Sequence, residues 1–218
     1  MSKAPHVTFS GLDGCGKSTQ LEHVAALLEA EGARPVRLWS RGGYTPGVEG
    51  LKRLARRLTG RALPASGASK ERTEALKRPL VARAWLAVAM LDLLRIYGLQ
   101  VRWWRLTGRP VLCDRYLWDT LVDFRMAFPD EPIEGRLLWR LLTRVAARPD
   151  HAFLLTVPPA EGERRSLDKG DPFPEPLELR RRRELLYKDL VARGVFDVLD
   201  GSRPIESLFR DIEKALDS

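Results

Sequence analysis

Residues 8–20 read TFSGLDGCGKSTQ: an apolar run gives way to three glycines, a lysine and two hydroxyls. Gly11, Gly16, Lys17 and Ser18 satisfy the spacing G-x-x-x-x-G-K-[ST], with Gly14 at one of its variable positions. Such a loop turns successive backbone N–H groups inward as an anion nest, at the start of a helix whose dipole favours negative charge. It therefore needs a strand before it and a helix after it. HVTFS at 6–10 reads as a short buried strand, and 19–30 as a helix with Leu21, Val24, Ala25 and Leu28 on one face. The chain is committed to an α/β architecture.

The remaining pattern agrees. PVRLWS (35–40), PVLCD (110–114), HAFLLTV (151–157) and VFDVLD (195–200) read as further strands. Between them fall a basic helix near 48–58, a loop-like stretch GRALPASGASKERT at 60–73, and a long helix from Pro79 to near Gly108. Two helical patterns cover 117–147, another helix follows an arginine-rich segment, and a last one runs over 205–216. Alternation of this kind predicts a central five-stranded parallel sheet flanked by helices, a three-layer α/β sandwich. With 218 residues, 44% of them apolar, a single domain over 1–218 is expected. Arg83, Asp92 and Arg95 interrupt the most apolar stretch, 80–99, so it reads as a buried helix and not a membrane span. The opening residues lack a long apolar core, so no secretory signal is expected. Cys15 and Cys113 are too few and too far apart for a disulfide framework or metal cluster, and a cytoplasmic location is the default. The net charge of +8 fits a polyanion, whether nucleotide, nucleic acid or anionic membrane; composition does not choose.

The loop does choose a nucleoside triphosphate. Gly11, Leu12, Asp13, Gly14, Cys15, Gly16, Lys17, Ser18 and Thr19 are the residues expected to hold it, with Lys17 on the terminal phosphates and the Ser18 hydroxyl on magnesium. A second site is expected in VLCDRYLWDT (111–120). Asp114 ends a core strand, where open parallel sheets bind ligands, and offers itself to the metal or its waters. Arg115 beside it presents a planar fork of donors to a phosphate.

These residues resemble the thymidylate kinase family, a group of P-loop nucleoside-monophosphate kinases. The resemblance rests on FSGLDGCGKSTQ, on Arg41 with Gly42 and Gly43 after the second strand, and on Asp114, Arg115 and Tyr116. The arginine-bearing segment after the fourth strand and the ending VLDGSRPIESLFRDIEKAL agree in order and spacing. It implies phosphorylation of dTMP to dTDP by ATP with Mg2+. Asp13 would reach the acceptor sugar or the magnesium shell, and Arg41 and Arg115 would grip the acceptor phosphate. Positions 12–15 hold no arginine, so the missing cation is expected from Arg164, Arg165 or Lys169, in a mobile lid near 160–176. A homodimer is implied as well, with Trp103 and Trp104 as candidate contacts. Neither a nucleic acid nor a membrane is expected as partner, since no nucleic-acid-reading module is recognisable.

The base-reading positions depart from the family. An arginine usual in the long helix is replaced near Asp92, and a serine and an alanine–tyrosine–glutamine run after DRY are replaced by Asp119, Val122, Asp123 and Phe124. Asp119 and Asp123 share a helix face and suit an amino group or sugar hydroxyls, unless Arg125, Arg83 or Arg95 neutralises them. Tyr44, Trp85 and Phe124 are candidate walls for a flat base. Of the four arginines at 180–183, most are expected in solvent, because consecutive residues spread around a helix. Two other readings stay open: a kinase of another nucleotide, nucleoside or specialised metabolite, and a nucleotide-binding regulatory protein with weak ATPase activity.

Overall fold

The computed structural model describes residues 4–40, 78–171 and 174–217. Strand β1 (His6–Gly11) is buried along its whole length, as a strand at the centre of a parallel sheet covered on both faces must be. It feeds α1 (Lys17–Ala30), and β2 (Val36–Trp39) follows. After α2 (Pro79–Leu93) the same rod continues through a π-helical segment (Leu94–Gln100) into α3 (Val101–Leu106). Then come β3 (Val111–Asp114), α4 (Leu117–Ala127), a 3-10 turn (Ile133–Gly135) and α5 (Leu137–Val145). The chain ends with β4 (His151–Thr156), α6 (Pro159–Asp168), α7 (Leu177–Ala192), β5 (Asp197–Asp200) and α8 (Ile205–Leu216). The basic helix expected near 48–58 and the loop at 60–73 lie outside the described residues.

All strands pair in parallel, in the order β2-β3-β1-β4-β5. The expected five-stranded parallel sheet is thus borne out. Its side chains alternate between two cores. Val7 and Phe9 of β1 face one way, with Val24 and Ala25 of α1 and Leu208 and Ile212 of α8. Cys113 of β3 and Leu154 of β4 face the other, with Leu86 and Met90 of α2 and Leu121 of α4. On that second face β1 offers Thr8 and Ser10, both buried.

The long helix expected over 79–108 is found, but with the π-helical interruption. There Gly98 runs so close to α5 that a Cβ would stand 2.7 Å from Val145 Cγ1. The rod stops where expected: Gly108 sits at φ 75°, and the Arg109 N–H reaches back to the Trp104 carbonyl at 2.9 Å.

The connection from β1 leaves its carboxyl end toward the β2 edge, whereas those from its neighbours β3 and β4 leave toward β5. That switch point is where such sheets bind ligands. The glycine loop opens there, and Asp114 ends the neighbouring strand, level with Phe9.

Candidate active site

The loop's shape follows from its glycines. Gly14 and Gly16 lie at φ 84° and 97°, a region side chains resist. A Cβ on Gly14 would also fall 2.4 Å from the Gly162 carbonyl oxygen of α6, so loop and helix touch backbone to backbone. In front of the loop is a cavity of about 1000 Å³. It is lined by residues 13–20, by Asp114 and Arg115, by Arg165 and Lys169, and by 201–206.

Lys17 is nearly buried, and its ammonium donates to the Leu12 and Gly11 carbonyls at 2.8 and 3.2 Å. Ser18 Oγ donates to Asp114 Oδ2 at 3.0 Å. The other Asp114 oxygen, Oδ1, is buried without a hydrogen-bond partner among the described residues. A hydroxyl and an unsatisfied carboxylate oxygen beside a phosphate nest are a donor set that fits magnesium and its waters, since hard cations take oxygen ligands.

Arg115 lines the same cavity with its own charge enclosed. It takes φ 74°, rare outside glycine, with its N–H on the Phe9 carbonyl at 3.0 Å. Its guanidinium donates to the Asp13 carboxylate and, at 3.3 Å, to the Tyr187 hydroxyl. Burial works against this charge, and the nearby Tyr187, Asp13, Asp119 and Asp123 more than offset it, so the group sits well above its ordinary range. Asp13 also stands 3.8 Å from Lys17 Nζ, which joins the two cations through one carboxylate.

Two lysine or arginine candidates of the 160–176 segment reach the cavity and one does not. Arg165 lines it, anchored by Glu161 at 2.7 Å and the Gly201 carbonyl at 2.9 Å, and Lys169 lines it as well. Arg164 instead lies on the outer face of α6, paired with Glu161 and Asp168. The third residue of the helix, Glu161, is held by both arginines down to about pKa 2.

No family model matches the chain. Curated relatives do. It is 29% identical over 217 residues to a thymidylate kinase of Bifidobacterium longum, covering 95% of this chain and 94% of that one. A thymidylate kinase of Geobacter sulfurreducens is 28% identical (92% and 91% covered), and one of Ruegeria pomeroyi 26% (94% and 91%). Over nearly its whole length the chain is similar to thymidylate kinases, which supports membership of that family. That likeness indicates a nucleoside-monophosphate kinase.

The expected acceptor-side residues are engaged with one another and with the core. Asp119 was the candidate for touching the acceptor, but it is 1% exposed and its oxygens are taken. Oδ2 accepts from Ser10 Oγ at 2.6 Å and the Tyr116 N–H at 2.9 Å, and Oδ1 from the Tyr187 hydroxyl at 2.6 Å. The reason is the sheet face: Ser10 points toward α4, and a buried hydroxyl needs a partner. Asp123 is paired with Arg183 of α7 at 2.6 Å. The neutralising partners anticipated for this pair are engaged elsewhere. Arg83 bonds Glu131, Arg95 bonds Asp92 at 2.9 Å, and Arg125 bonds Glu134 and Asp189. Trp85 packs its ring against Phe128 and Phe124, with centroids 5.5 and 6.0 Å apart. Phe124 is 1% exposed and belongs to the core, so it does not wall an open base site. Arg41 and Tyr44 lie outside the described residues. In α3, Trp103 is 64% exposed, whereas Arg105 is buried and clamps Asp150 at 2.6 Å.

The arginine run holds what the sequence reading missed. Arg181 and Arg182 are in solvent, but Arg180 and Arg183 are buried, and Tyr187 continues their row. The spacing i, i+3, i+7 was the available signal, since it marks one helix face.

Proposed function

We propose that the protein transfers the terminal phosphoryl group of ATP to the phosphate of dTMP, giving dTDP and ADP. The observation that carries this reading is the pair of cations, Lys17 and Arg115, bridged by Asp13 at one end of one cavity. Transfer between two anions depends chiefly on positioning them and offsetting their charge. The amides of residues 13–19 and Lys17 hold the donor's phosphates. Arg115, with Arg41, holds the acceptor phosphate, one of whose oxygens forms the new bond to the γ-phosphorus as the bridging bond to ADP breaks. Asp13 orients both cations. Ser18 and Asp114 would hold Mg2+ through its waters; bound there, it neutralises charge on the donor's phosphates. Arg165 supplies the cation that positions 12–15 lack, joined by Lys169 when 160–176 closes as a lid that shuts out water. The exposed Arg164 stands behind them as a second choice.

The same reading implies a homodimer. Leu91, Leu99, Trp103 and Leu106 leave an exposed apolar row along the α2–α3 rod, which a second copy would cover. Among the described residues no helix is long and apolar enough to cross a membrane. Two unpaired, buried cysteines suit a reducing cytoplasm.

A second reading keeps the chemistry and changes the acceptor's base. It is favoured by Asp92 and Asp123, whose carboxylates are paired with Arg95 and Arg183 where the family addresses thymine. One screen decides. ATP and Mg2+ are supplied with each nucleoside and nucleoside monophosphate, and ADP release is followed. Turnover confined to dTMP is the expected result. Turnover with a different acceptor supports the second reading, and ADP release indifferent to every acceptor overturns both.

A further inference from the structure

Arg180 is fully buried, yet no carboxylate lies within ion-pairing distance of it among the described residues. Its donors go to neutral acceptors instead. Nε donates to the Glu175 carbonyl at 2.7 Å, Nη2 to Ser166 Oγ at 3.0 Å, and Nη1 to the Asp13 carbonyl at 2.6 Å. A buried charge is costly unless fully hydrogen-bonded, and one without a counter-ion is costlier still. The arrangement makes sense if the missing counter-charge is the anion that the loop receives.

The bond to Asp13 has a directional consequence. In a trans peptide the C=O and the following N–H point opposite ways. Drawing the Asp13 carbonyl back toward α7 therefore turns the Gly14 N–H forward, toward the cavity that Gly14 lines. The packing leaves no slack for another orientation. A Cβ on Gly162 would stand 3.0 Å from the Asp13 carbonyl oxygen and 3.3 Å from Arg180 Nη1, so the loop and α6 meet at bare backbone with the Arg180 side chain against both.

We propose that Arg180 is a positioning residue for the donor site: it fixes the Asp13–Gly14 peptide so that the loop's amide faces the triphosphate, and it lends that site a buried positive charge. This rests on the donor-site reading above. It differs from the roles given to Lys17, Arg115 and Arg165, because Arg180 does not line the cavity and acts through the loop.

The test uses the full chain and measures Mg·ATP and Mg·ADP binding by calorimetry, alongside KM for each substrate. Arg180→Met should weaken Mg·ATP binding at least tenfold while KM for the acceptor changes less than twofold. Arg180→Lys, which keeps the charge and one donor for the Asp13 carbonyl, should recover most of the loss. Gly162→Ala wedges the same contact with Arg180 intact and should weaken Mg·ATP binding at least threefold. A purely structural role would lower the melting temperature and leave donor affinity and the split between the two KM values unchanged. Unaltered Mg·ATP affinity in folded Arg180→Met overturns the proposal; should that variant fail to fold, unaltered affinity in Gly162→Ala does so. Absence of Mg·ATP binding in the unmutated protein would instead overturn the donor-site reading itself.

Discussion

Asp119→Asn separates a residue that touches the acceptor from one that holds the site together. The substitution is nearly isosteric and replaces one carboxylate oxygen by an amide nitrogen. The Asn oxygen keeps the Ser10 and Tyr116 donors, because both converge on Oδ2. The NH2 then falls where Oδ1 accepts the Tyr187 hydroxyl and faces Arg115 Nη1 at 3.7 Å. One charge-assisted hydrogen bond is lost, worth about 1.5–3 kcal/mol. Arg115, 3% exposed, also loses Asp119, a carboxylate 3.7 Å from its guanidinium, and keeps Asp13. Breaking a buried pair outright costs about 3–5 kcal/mol, so with one partner retained the total should be about 3 kcal/mol. For a chain of this size that lowers the melting temperature by roughly 6–12 °C. Thermal unfolding checks this, and acceptor KM should rise with it, because Arg115 loses part of its orientation. A melting temperature within 1 °C of the unmutated protein, with altered acceptor KM, would refute the buried-network account and return Asp119 to the substrate.

The other predictions concern charge at the two ends of the sheet. His6 is buried beside Arg105, and burial with that cation lowers its pKa to about 4. The unfolded chain then takes up a proton first, so stability is full above about pH 6.5 and falls as pH drops toward 4, by about 2 kcal/mol at pH 5. His6→Leu should flatten the melting temperature's pH slope across that window; an unchanged slope would remove His6 from the account. At the site, Arg165→Ala should cut turnover at least tenfold and Arg164→Ala less than twofold, read from steady-state kinetics. Equal losses would contradict their separate placement on α6.

Much of the frame was legible because local pattern and global role coincide. The glycine spacing names the loop, and each apolar run sits where a parallel strand is needed. Strand ends were close: 195–200 shortens to 197–200, and helix α1 starts at Lys17 and not 19. The carboxylates of α4 were not legible, because their partners come from α7, 60 and 68 residues away in sequence. Proximity in sequence pointed to Arg125, which is drawn off by Glu134 and Asp189. The run at 180–183 looked like solvated charge because four identical letters hide their period. Read with Tyr187, the period would have marked Arg180 and Arg183 as one face; the packing of α7 then turns Arg180 to the loop and Arg183 to Asp123 of α4. Arg164 and Arg165 were inseparable for the same reason, since adjacent residues on a helix point about 100° apart.

The central claim is that Lys17 and the loop amides hold a donor's phosphates beside a second anion. The most direct measurement is the turnover of Lys17→Met, compared with its melting temperature. Met fills the same space and removes only the ammonium, which donates to two loop carbonyls. The account predicts a folded protein whose kcat falls by roughly 10²–10³-fold. A folded variant with kcat within twofold of the unmutated protein would contradict it.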